Sequence, residues 1–166
     1  DTGTRALEGT GTPPSAGWLD RLLSRRGRGV SSVSRGYGRD ELLLHRRWNP
    51  EVPVEADPDR VIAVERARDA GATVAVLDDG FQHRRLARDL DVVLLAAEDA
   101  FPGRLLPTGP YREAAASLSR ADVILVTRRT VSSERARAVL RRARDFAPHC
   151  LGGVVRLAPA GWLDLG

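Results

Sequence analysis

The sequence contains no lysine, and all 26 of its basic residues are arginine. This absence excludes Schiff-base chemistry, a lysine general base and the lysine of a phosphate-binding loop. The single cysteine, Cys150, excludes an internal disulfide and any metal site built from several cysteines. With so little cysteine, the compartment we expect is a reducing cytosol. No apolar run approaches the roughly 18 residues that a membrane span needs.

Aromatic residues are also scarce, at 5% of the chain. None is interleaved with a basic run except around Trp48, so we discount a nucleic-acid binder that stacks bases on aromatic rings. The net charge is only +4. Arginine binds phosphate and carboxylate groups bidentately, which makes phosphate-bearing partners plausible. For most of the arginines we favour the simpler interpretation that they lie on solvated helix faces.

The chain of 166 residues has 42% hydrophobic and 29% charged residues, which is typical of one globular domain spanning residues 1–166. Short apolar runs alternate with charged helical stretches, as in βαβ units with a parallel sheet covered by helices on both faces. The predicted strands are Val30–Ser34, Ala72–Leu77, Val92–Ala96, Val123–Thr127 and, as a fifth candidate, Val154–Leu157. The predicted helices are Pro14–Arg26, Asp59–Ala70, Glu113–Arg120 and Ser132–Phe146.

Three features are expected at the carboxyl ends of these strands, where open parallel sheets bind ligands. Gly9-Thr-Gly11 precedes a helix and either cradles phosphate or is an ordinary turn. Asp78 and Asp79 directly follow a buried strand, which is where a nucleoside triphosphatase holds Mg²⁺, unless they only cap the next turn. Asp40-Glu41 follows the glycine turn Gly36–Gly38 and offers a general base. From spacing alone, a glycine hinge with solvated charges explains that third feature better.

Three blocks of sequence resemble the tetraacyldisaccharide 4′-kinases of lipid A biosynthesis. The most specific is Leu77-Asp-Asp-Gly-Phe-Gln-His-Arg85. The others are Ser34-Arg-Gly-Tyr-Gly38 followed by Asp40-Glu41, and Gly103-Arg-Leu-Leu-Pro107 with Gly109 and Arg112-Glu113. Their order and spacing fit the family from about Gly9 to Phe146. The resemblance implies a three-layer α/β domain similar to P-loop nucleoside triphosphatases, with ATP and Mg²⁺ as cofactors.

The resemblance also implies a role for each matching residue. Asp40 is expected to activate the sugar hydroxyl, with Glu41 beside it near the metal. Asp78 is expected to hold Mg²⁺, with Asp79 adjoining it, and both are expected to be catalytic residues. For His83, which completes the signature with Gln82, a packing role and a site role are equally open. The expected ATP-binding residues lie in the Walker A loop, on Ala6–Pro13, or are arginines near the phosphates: Gly9, Thr10, Gly11, Thr12, Arg60 and Arg112.

The Walker A stretch departs from the family pattern Gly-Gly-Thr-Gly-Lys-Thr-Pro. Thr12 stands where the lysine belongs, so the positive charge that stabilises the transferring phosphoryl group is absent. Pro13 stands where the Mg²⁺-binding hydroxyl belongs, and proline has neither a hydroxyl nor a backbone N–H. Proline also favours an extended conformation for Thr12, where a phosphate loop turns into its helix. We therefore expect a kinase that is impaired or incomplete, or a non-catalytic remnant that keeps the fold and weak nucleotide or phosphate binding.

Members of the family phosphorylate the 4′ position of a tetraacylated glucosamine disaccharide 1-phosphate to give lipid IVA. The implied partners are an acylated disaccharide lipid and the membrane surface, the latter through a segment outside these 166 residues, with no nucleic acid. The implied location is the cytoplasmic face of the inner membrane of a Gram-negative-type bacterium. The family's C-terminal lobe, with its histidine partner of the catalytic aspartate, is likewise expected to lie outside the sequence.

Overall fold

The computed structural model describes residues 13–35, 39–109 and 111–158, without the side chains of residues 13–15, 39–42 and 44. Six strands and four α-helices follow each other along this part of the chain, with the third and fourth strands consecutive and no helix between them. The strands are β1 (Val30–Ser34), β2 (Val54–Ala56), β3 (Val74–Leu77), β4 (Val92–Ala96), β5 (Val123–Arg128) and β6 (Leu151–Arg156). The α-helices are α1 (Pro13–Arg25), α2 (Arg39–Trp48), α3 (Arg60–Asp69) and α4 (Ser133–Arg144).

Local capping explains where two of the helices begin. Asp59 caps α3, and its side chain accepts a hydrogen bond from the Val61 N–H at 3.0 Å. Ser132 caps α4 in the same way, with the Arg135 N–H donating to its Oγ at 3.1 Å. Such caps satisfy backbone donors that have no partner within the first helical turn.

The strands form two parallel sheets of three strands each, in the orders β2-β1-β3 and β4-β5-β6. In the first sheet, Val33 of β1 pairs with Leu77 at the end of β3. In the second, β5 lies in the middle and pairs with both β4 and β6. Helices flank the sheets, so the architecture is α/β and consistent with a P-loop nucleoside triphosphatase domain.

The two sheets have hydrophobic cores of different size. Fourteen buried residues form one cluster around the second sheet and α4. Within the described side chains, two smaller clusters, of four and three buried residues, lie around the first sheet. Phe81, in the segment after β3, is fully buried in the large cluster and so anchors the end of the first sheet to the second.

A cleft of about 540 Å³ lies between the sheets. It is lined by β3, by Val92 at the start of β4, by the 86–90 segment and by Leu19 and Leu23 of α1. In the described part of the chain, β3 pairs only with β1 and β4 only with β5, so the cleft separates two strand edges. Within the same residues, no helix is both long enough and apolar enough to cross a membrane.

The sequence-based prediction of a parallel α/β fold is confirmed, with differences in individual elements. The predicted helix Glu113–Arg120 is a 3-10 helix over Ala115–Arg120. The fifth strand candidate, Val154–Leu157, is the longer strand β6. The predictions omitted α2 and β2, which lie between the first two predicted strands. The predicted turn at Gly36–Gly38 lies outside the described residues.

Candidate active site at the strand ends

Asp78 lies directly beyond β3, at the carboxyl end of the first sheet. Its backbone N–H donates to the Val33 carbonyl at 2.9 Å, which continues the pairing of β3 with β1 by one residue. Its carbonyl accepts a hydrogen bond of 3.2 Å from the Arg60 guanidinium. The Asp78 residue is buried. The backbone of Asp78 is therefore fixed from two sides, and its carboxylate lies at the sheet edge where ligands of parallel sheets bind.

The next residue, Asp79, has a positive φ of 56°, a left-handed conformation that aspartate tolerates better than most residues. The turn continues through Gly80, where a Cβ would lie 2.8 Å from the Leu77 Cβ. A side chain at this position would therefore force the end of β3 to shift. This tight turn explains why an Asp-Asp-Gly sequence follows the strand.

Arg112 reaches the same turn from the other half of the molecule. Its Nη1 lies 3.3 Å from Oδ2 of Asp79 and 3.4 Å from Oε1 of Gln82. The Arg112 and Asp79 side chains are 36% and 27% exposed, so the pair faces solvent. A partly exposed arginine beside a carboxylate provides a place where an anionic ligand can meet both a cation and a metal-binding acid.

The loop before Arg112 is fastened to the large core through Tyr111. The Tyr111 hydroxyl donates to the Ala100 carbonyl at 2.9 Å, and the Leu106 N–H donates to the Tyr111 carbonyl at 2.7 Å. A Cβ at Gly103 would overlap the Tyr111 ring, so the loop can pass the ring only with glycine at that position. Burial raises the pKa of the Tyr111 hydroxyl to about 12. These contacts fix the backbone from which Arg112 extends.

Phe81 holds the turn itself in place. Its side chain is fully buried in the core of the second sheet. The Arg120 guanidinium lies 4.5 Å from the centre of the ring, close enough for a cation–π interaction. Arg120 is in turn paired with Glu113 at 2.7 Å. The acids at the end of the first sheet are thus anchored by a residue that belongs to the packing of the second.

A buried histidine, His45 of α2, lies behind Asp78. Its Nε2 is 3.5 Å from Oδ2 of Asp78, and its Nδ1 is 3.6 Å from Oδ2 of Asp20 on α1. The Ser32 hydroxyl on β1 is 3.4 Å from the same Nδ1. The Asp20 carboxylate, and then the Asp78 carboxylate, raise the pKa of His45 to about 9, because they favour the protonated ring more than burial disfavours it.

Comparison with known proteins identifies a family for most of this chain. The model of the family described as tetraacyldisaccharide-1-P 4′-kinase matches residues 40–156. This chain belongs to that family. The match contains all of the described turn from Asp78 to His83 and the arginine that faces it, Arg112.

Alignments with individual relatives span most of this chain but less than half the length of each relative. Proteins named tetraacyldisaccharide 4′-kinase from Anaeromyxobacter sp. (strain K) and Syntrophobacter fumaroxidans are 40% and 38% identical to it. The alignments span 86% and 88% of this chain, but 44% and 45% of the relatives. The relative of the same name from Pseudomonas putida (strain W619) is 38% identical over 74% of this chain and 43% of its own length. The chain therefore spans less than half the length of these curated relatives.

The structure brings together four of the residues that the sequence singled out. Asp78 and Asp79 follow each other in the turn, Arg60 contacts the first and Arg112 the second. Arg60 is buried, and its guanidinium also donates to the Asp57 carbonyl at 3.2 Å. Arg60 therefore supports the backbone beneath the acids, and its contact with phosphate stays a prediction.

The structure does not describe the side chains of the other residues expected in the site. Asp40 and Glu41 lie in the first turn of α2, but their side chains are outside the description. The pairing of β1 with β3 confirms that the two predicted strands lie side by side, which is the geometric condition for Asp40 and Asp78 to share a site. The Walker A residues lie outside the described residues altogether: Gly9, Thr10, Gly11 and Thr12.

His83 is partly buried beside the acidic turn. Its pKa is lowered, first by burial and then by the charge of Arg60. In the described structure, its Nε2 is buried without a hydrogen-bond partner. The two interpretations of His83 from the sequence, packing or site, both remain open.

The two carboxylates of the turn, those of Asp78 and Asp79, can supply part of the ligand set of a magnesium ion. Mg²⁺ is commonly held in kinases by one or two protein carboxylates, with phosphate oxygens and water completing its octahedron. Among the described residues, no group of three or more histidine, cysteine, aspartate or glutamate side chains is arranged to hold a metal by itself. Asp78 and Asp79 therefore fit an ion that arrives with a nucleotide better than an ion caged by protein alone.

Sequence reasoning missed His45 and Asp20. A signal was present for Asp20, because it lies four residues after the buried Ala16 and next to Leu19, on the inward face of α1. A charged residue at such a position requires a partner. The identity of that partner, on a helix that the predictions omitted, depends on how α1 packs against α2.

Proposed function

We propose that this chain supplies the ATP- and metal-binding half of a tetraacyldisaccharide 4′-kinase. The reaction is transfer of the γ-phosphoryl group of ATP to the 4′-hydroxyl of tetraacyldisaccharide 1-phosphate, giving lipid IVA. One observation carries the proposal: Asp78 and Asp79 lie at the end of a buried parallel strand, with Arg112 facing them. Acids at a strand end and arginines near phosphate are recurring parts of phosphoryl-transfer sites.

Within this proposal, each residue has a distinct task. Asp78 and Asp79 hold Mg²⁺, with Glu41 near it. When bound, the ion neutralises charge on the phosphates. Arg112 attracts and orients the anionic nucleotide, since a guanidinium keeps its charge at any physiological pH. Asp40 accepts the proton of the 4′-hydroxyl as phosphate is transferred.

The Walker A departures limit the rate that we propose for this chain. Without the lysine and the Mg²⁺-binding hydroxyl, stabilisation of the transferring group falls by several kcal/mol, or on the order of 10²–10³-fold in rate. The same two residues, Thr12 and Pro13, favour a second candidate function. In that alternative the chain is a non-catalytic relative that keeps the fold and binds nucleotide or phosphate weakly.

The proposed partners follow from the same family membership. The substrate is an acylated disaccharide lipid, and the working location is the cytoplasmic face of a bacterial inner membrane. Because the chain covers 44% of a relative such as that of Anaeromyxobacter, we propose that the lipid-facing parts lie in the remaining sequence of the kinase.

A radiolabel transfer assay with the acylated disaccharide tests the enzymatic proposal. We expect turnover at least 100-fold below the roughly 1–100 s⁻¹ typical of kinases, and lower again in Asp78→Asn. Labelled product that depends on Asp78 supports the first candidate. Product formation at an ordinary kinase rate would contradict the assigned defect, and its complete absence favours the non-catalytic candidate.

A rescue experiment tests the nucleotide site without requiring catalysis. Thr12→Lys combined with Pro13→Thr restores the charge, the hydroxyl and a backbone N–H together. We expect this double variant to bind a non-hydrolysable ATP analogue with Mg²⁺ at least tenfold more tightly in calorimetry, and either single change to do little. Adding Asp78→Asn serves as the control and should reverse the gain. A double variant that binds no better than the original chain would place the defect outside residues 12 and 13.

A further inference from the structure

We propose that His45 is a positioning residue for Asp78, and that Asp20 holds His45 in the orientation that this requires. The proposal rests on the function proposed above only in treating Asp78 as a metal-binding acid. The arrangement is a buried row of Asp20, His45 and Asp78, with the two ring nitrogens facing opposite carboxylates at 3.6 Å and 3.5 Å.

The burial of His45 and Asp20 indicates that the row is a specific interaction rather than a chance proximity of side chains. His45 is 1% exposed and Asp20 is fully buried. In the described structure, neither carboxylate oxygen of Asp20 has a hydrogen-bond partner, and its ion-pair contact is His45. A buried carboxylate is strongly unfavourable unless a cation or donor faces it. The His45 ring meets that requirement for Asp20 on one side while its other nitrogen is directed at Asp78.

The geometry assigns each nitrogen a task. Nδ1 faces Asp20 and the Ser32 hydroxyl, which fix the rotation of the ring. Nε2 is then the nitrogen that meets Oδ2 of Asp78. Histidine–carboxylate rows of this kind orient metal ligands in many proteins, where an outer partner fixes the group that touches the ion. Here the histidine is the outer partner, and the carboxylate of Asp78 is the group that is oriented.

The row also connects the three parts of the chain that the site needs. Asp20 lies on α1, which begins at Pro13 where the Walker A stretch ends. His45 lies on α2, whose first turn contains Asp40 and Glu41. Asp78 ends β3. A single side chain, His45, therefore fixes the position of Asp78 relative to both helices. Loss of His45 should alter the orientation of the Asp78 carboxylate while the overall fold is kept.

Asn49 provides a matched control, because it joins the same two helices without touching Asp78. Its Nδ2 donates to the Gly17 carbonyl on α1 at 2.7 Å, and it is buried. Asn49→Ala removes two contacts between α1 and the end of α2, because the Arg21 Nε also donates to the Asn49 Oδ1 at 3.1 Å. If His45 only packs the helices together, His45→Gln and Asn49→Ala should behave alike.

Nitrogen-15 spectra of the histidine rings test the contacts directly. The chain has three histidines, so the His45 signals can be assigned by substitution. We expect Asp78→Asn to shift mainly Nε2 of His45, Asp20→Asn to shift mainly Nδ1, and Asn49→Ala to shift neither. A ring whose Nε2 is indifferent to Asp78→Asn would overturn the proposal, whether or not the chain binds metal.

Affinity for Mn²⁺ in the presence of a non-hydrolysable ATP analogue, measured by electron paramagnetic resonance, tests the consequence. Loss of an outer partner typically weakens metal binding 10–100-fold. We expect a loss in this range for His45→Gln and Asp20→Ala, a smaller loss for Asp20→Asn, which keeps an acceptor for Nδ1–H, and less than twofold for Asn49→Ala. Equal losses in His45→Gln and Asn49→Ala would overturn the proposal. A wild-type chain that binds no Mn²⁺ would count against the proposed function, and the ring spectra would then decide the role of His45.

Discussion

The two sheets of the molecule differ in the kind of side chain that is buried around them. The second sheet is surrounded by one apolar cluster that includes Leu95, Leu118 and Ile124, all essentially unexposed. Among the side chains that the structure describes, the first sheet has small apolar clusters. Its interior instead contains most of the buried polar side chains of the described structure: Asp20, Ser31, Ser32, Ser34, His45, Asn49, Arg60 and Asp78. Polar burial contributes less to stability than apolar burial and demands exact partners, so the division suggests that the second sheet stabilises the domain and the first bears its chemistry.

The largest effect on stability should come from the core of the second sheet. Ile124 is fully buried on β5, the central strand. Ile124→Ala should lower the free energy of unfolding by about 2–5 kcal/mol, because it removes apolar contacts and leaves a cavity. Urea denaturation followed by circular dichroism measures it.

Ile62→Ala on α3 is the control for that substitution, since Ile62 is 42% exposed. We expect its effect to stay below about 1 kcal/mol. Similar losses of unfolding free energy in Ile124→Ala and Ile62→Ala would contradict the claim that the second sheet stabilises the domain.

The next effect concerns pH and belongs to the first sheet. His45 has a pKa of about 9 in the folded chain against 6.5 for an ordinary histidine. Its contribution to stability is therefore complete below about pH 6.5 and is lost as the pH rises through 9. The groups that face it are Asp20 from α1, Ser32 from β1 and Asp78 beyond β3. The shift corresponds to about 3 kcal/mol at most.

The measurement is the difference in unfolding free energy between pH 6 and pH 9.5, compared between the wild type and His45→Gln. Burial also raises the pKa of the Cys150 thiol, but that contribution is common to both proteins and cancels. The wild type should lose more stability than the variant across this range. Equal losses of unfolding free energy in the wild type and His45→Gln between these pH values would contradict the ion-pair account of His45.

A smaller effect should distinguish the packing around the two sheets. Val126 and Val76 are both buried valines on strands, but Val126 lies in the large core and Val76 lines the cleft. We expect Val126→Ala to cost about 2–3 kcal/mol, and Val76→Ala about 1–2 kcal/mol, because the cleft already lacks some of the contacts that a core supplies. Denaturant titrations of the two variants give the comparison, and a larger loss at Val76 would reverse it.

The smallest stability effect is expected at the site itself. Arg112 and Asp79 form a solvent-facing pair, and such pairs contribute about 0–1 kcal/mol. Arg112→Gln should therefore leave unfolding almost unchanged, while weakening the binding of an ATP analogue by about tenfold through the lost cation. Arg68→Gln, in the exposed pair with Asp69, is the control and should change neither quantity. Equal binding in the two variants would remove Arg112 from the site.

The sequence was most informative where local patterns determine structure. The strands β3, β4 and β5 are nearly continuous apolar runs, and Asp59 and Ser132 are ordinary helix caps, so these elements could be predicted from composition and spacing. The Asp78-Asp79 turn could also be found, because two acids after a buried strand have few structural explanations. The role of Phe81 as an anchor could not, since it depends on packing against residues far along the chain.

The omitted elements show the limit of this reasoning. Helix α2 contains the motif Asp40-Glu41, and the glycine-rich sequence before it favours a turn, so the sequence alone indicates a motif rather than a helix. Without α2, the contact between Asp20 and His45 has no basis in spacing, because the residues are 25 positions apart and meet only when two helices pack. Long-range polar contacts of this kind become visible only in a structure.

The central claim is that ligand chemistry resides at the carboxyl end of the first sheet. A titration of ¹⁵N-labelled chain with a non-hydrolysable ATP analogue and Mg²⁺, followed by amide chemical shifts, tests it most directly and detects weak binding. The account predicts shifts concentrated in residues 78–83 and at Arg112, with little change in α4 and β6, and their loss in Asp78→Asn. Shifts confined to the second sheet and α4, or unaffected by Asp78→Asn, would contradict it.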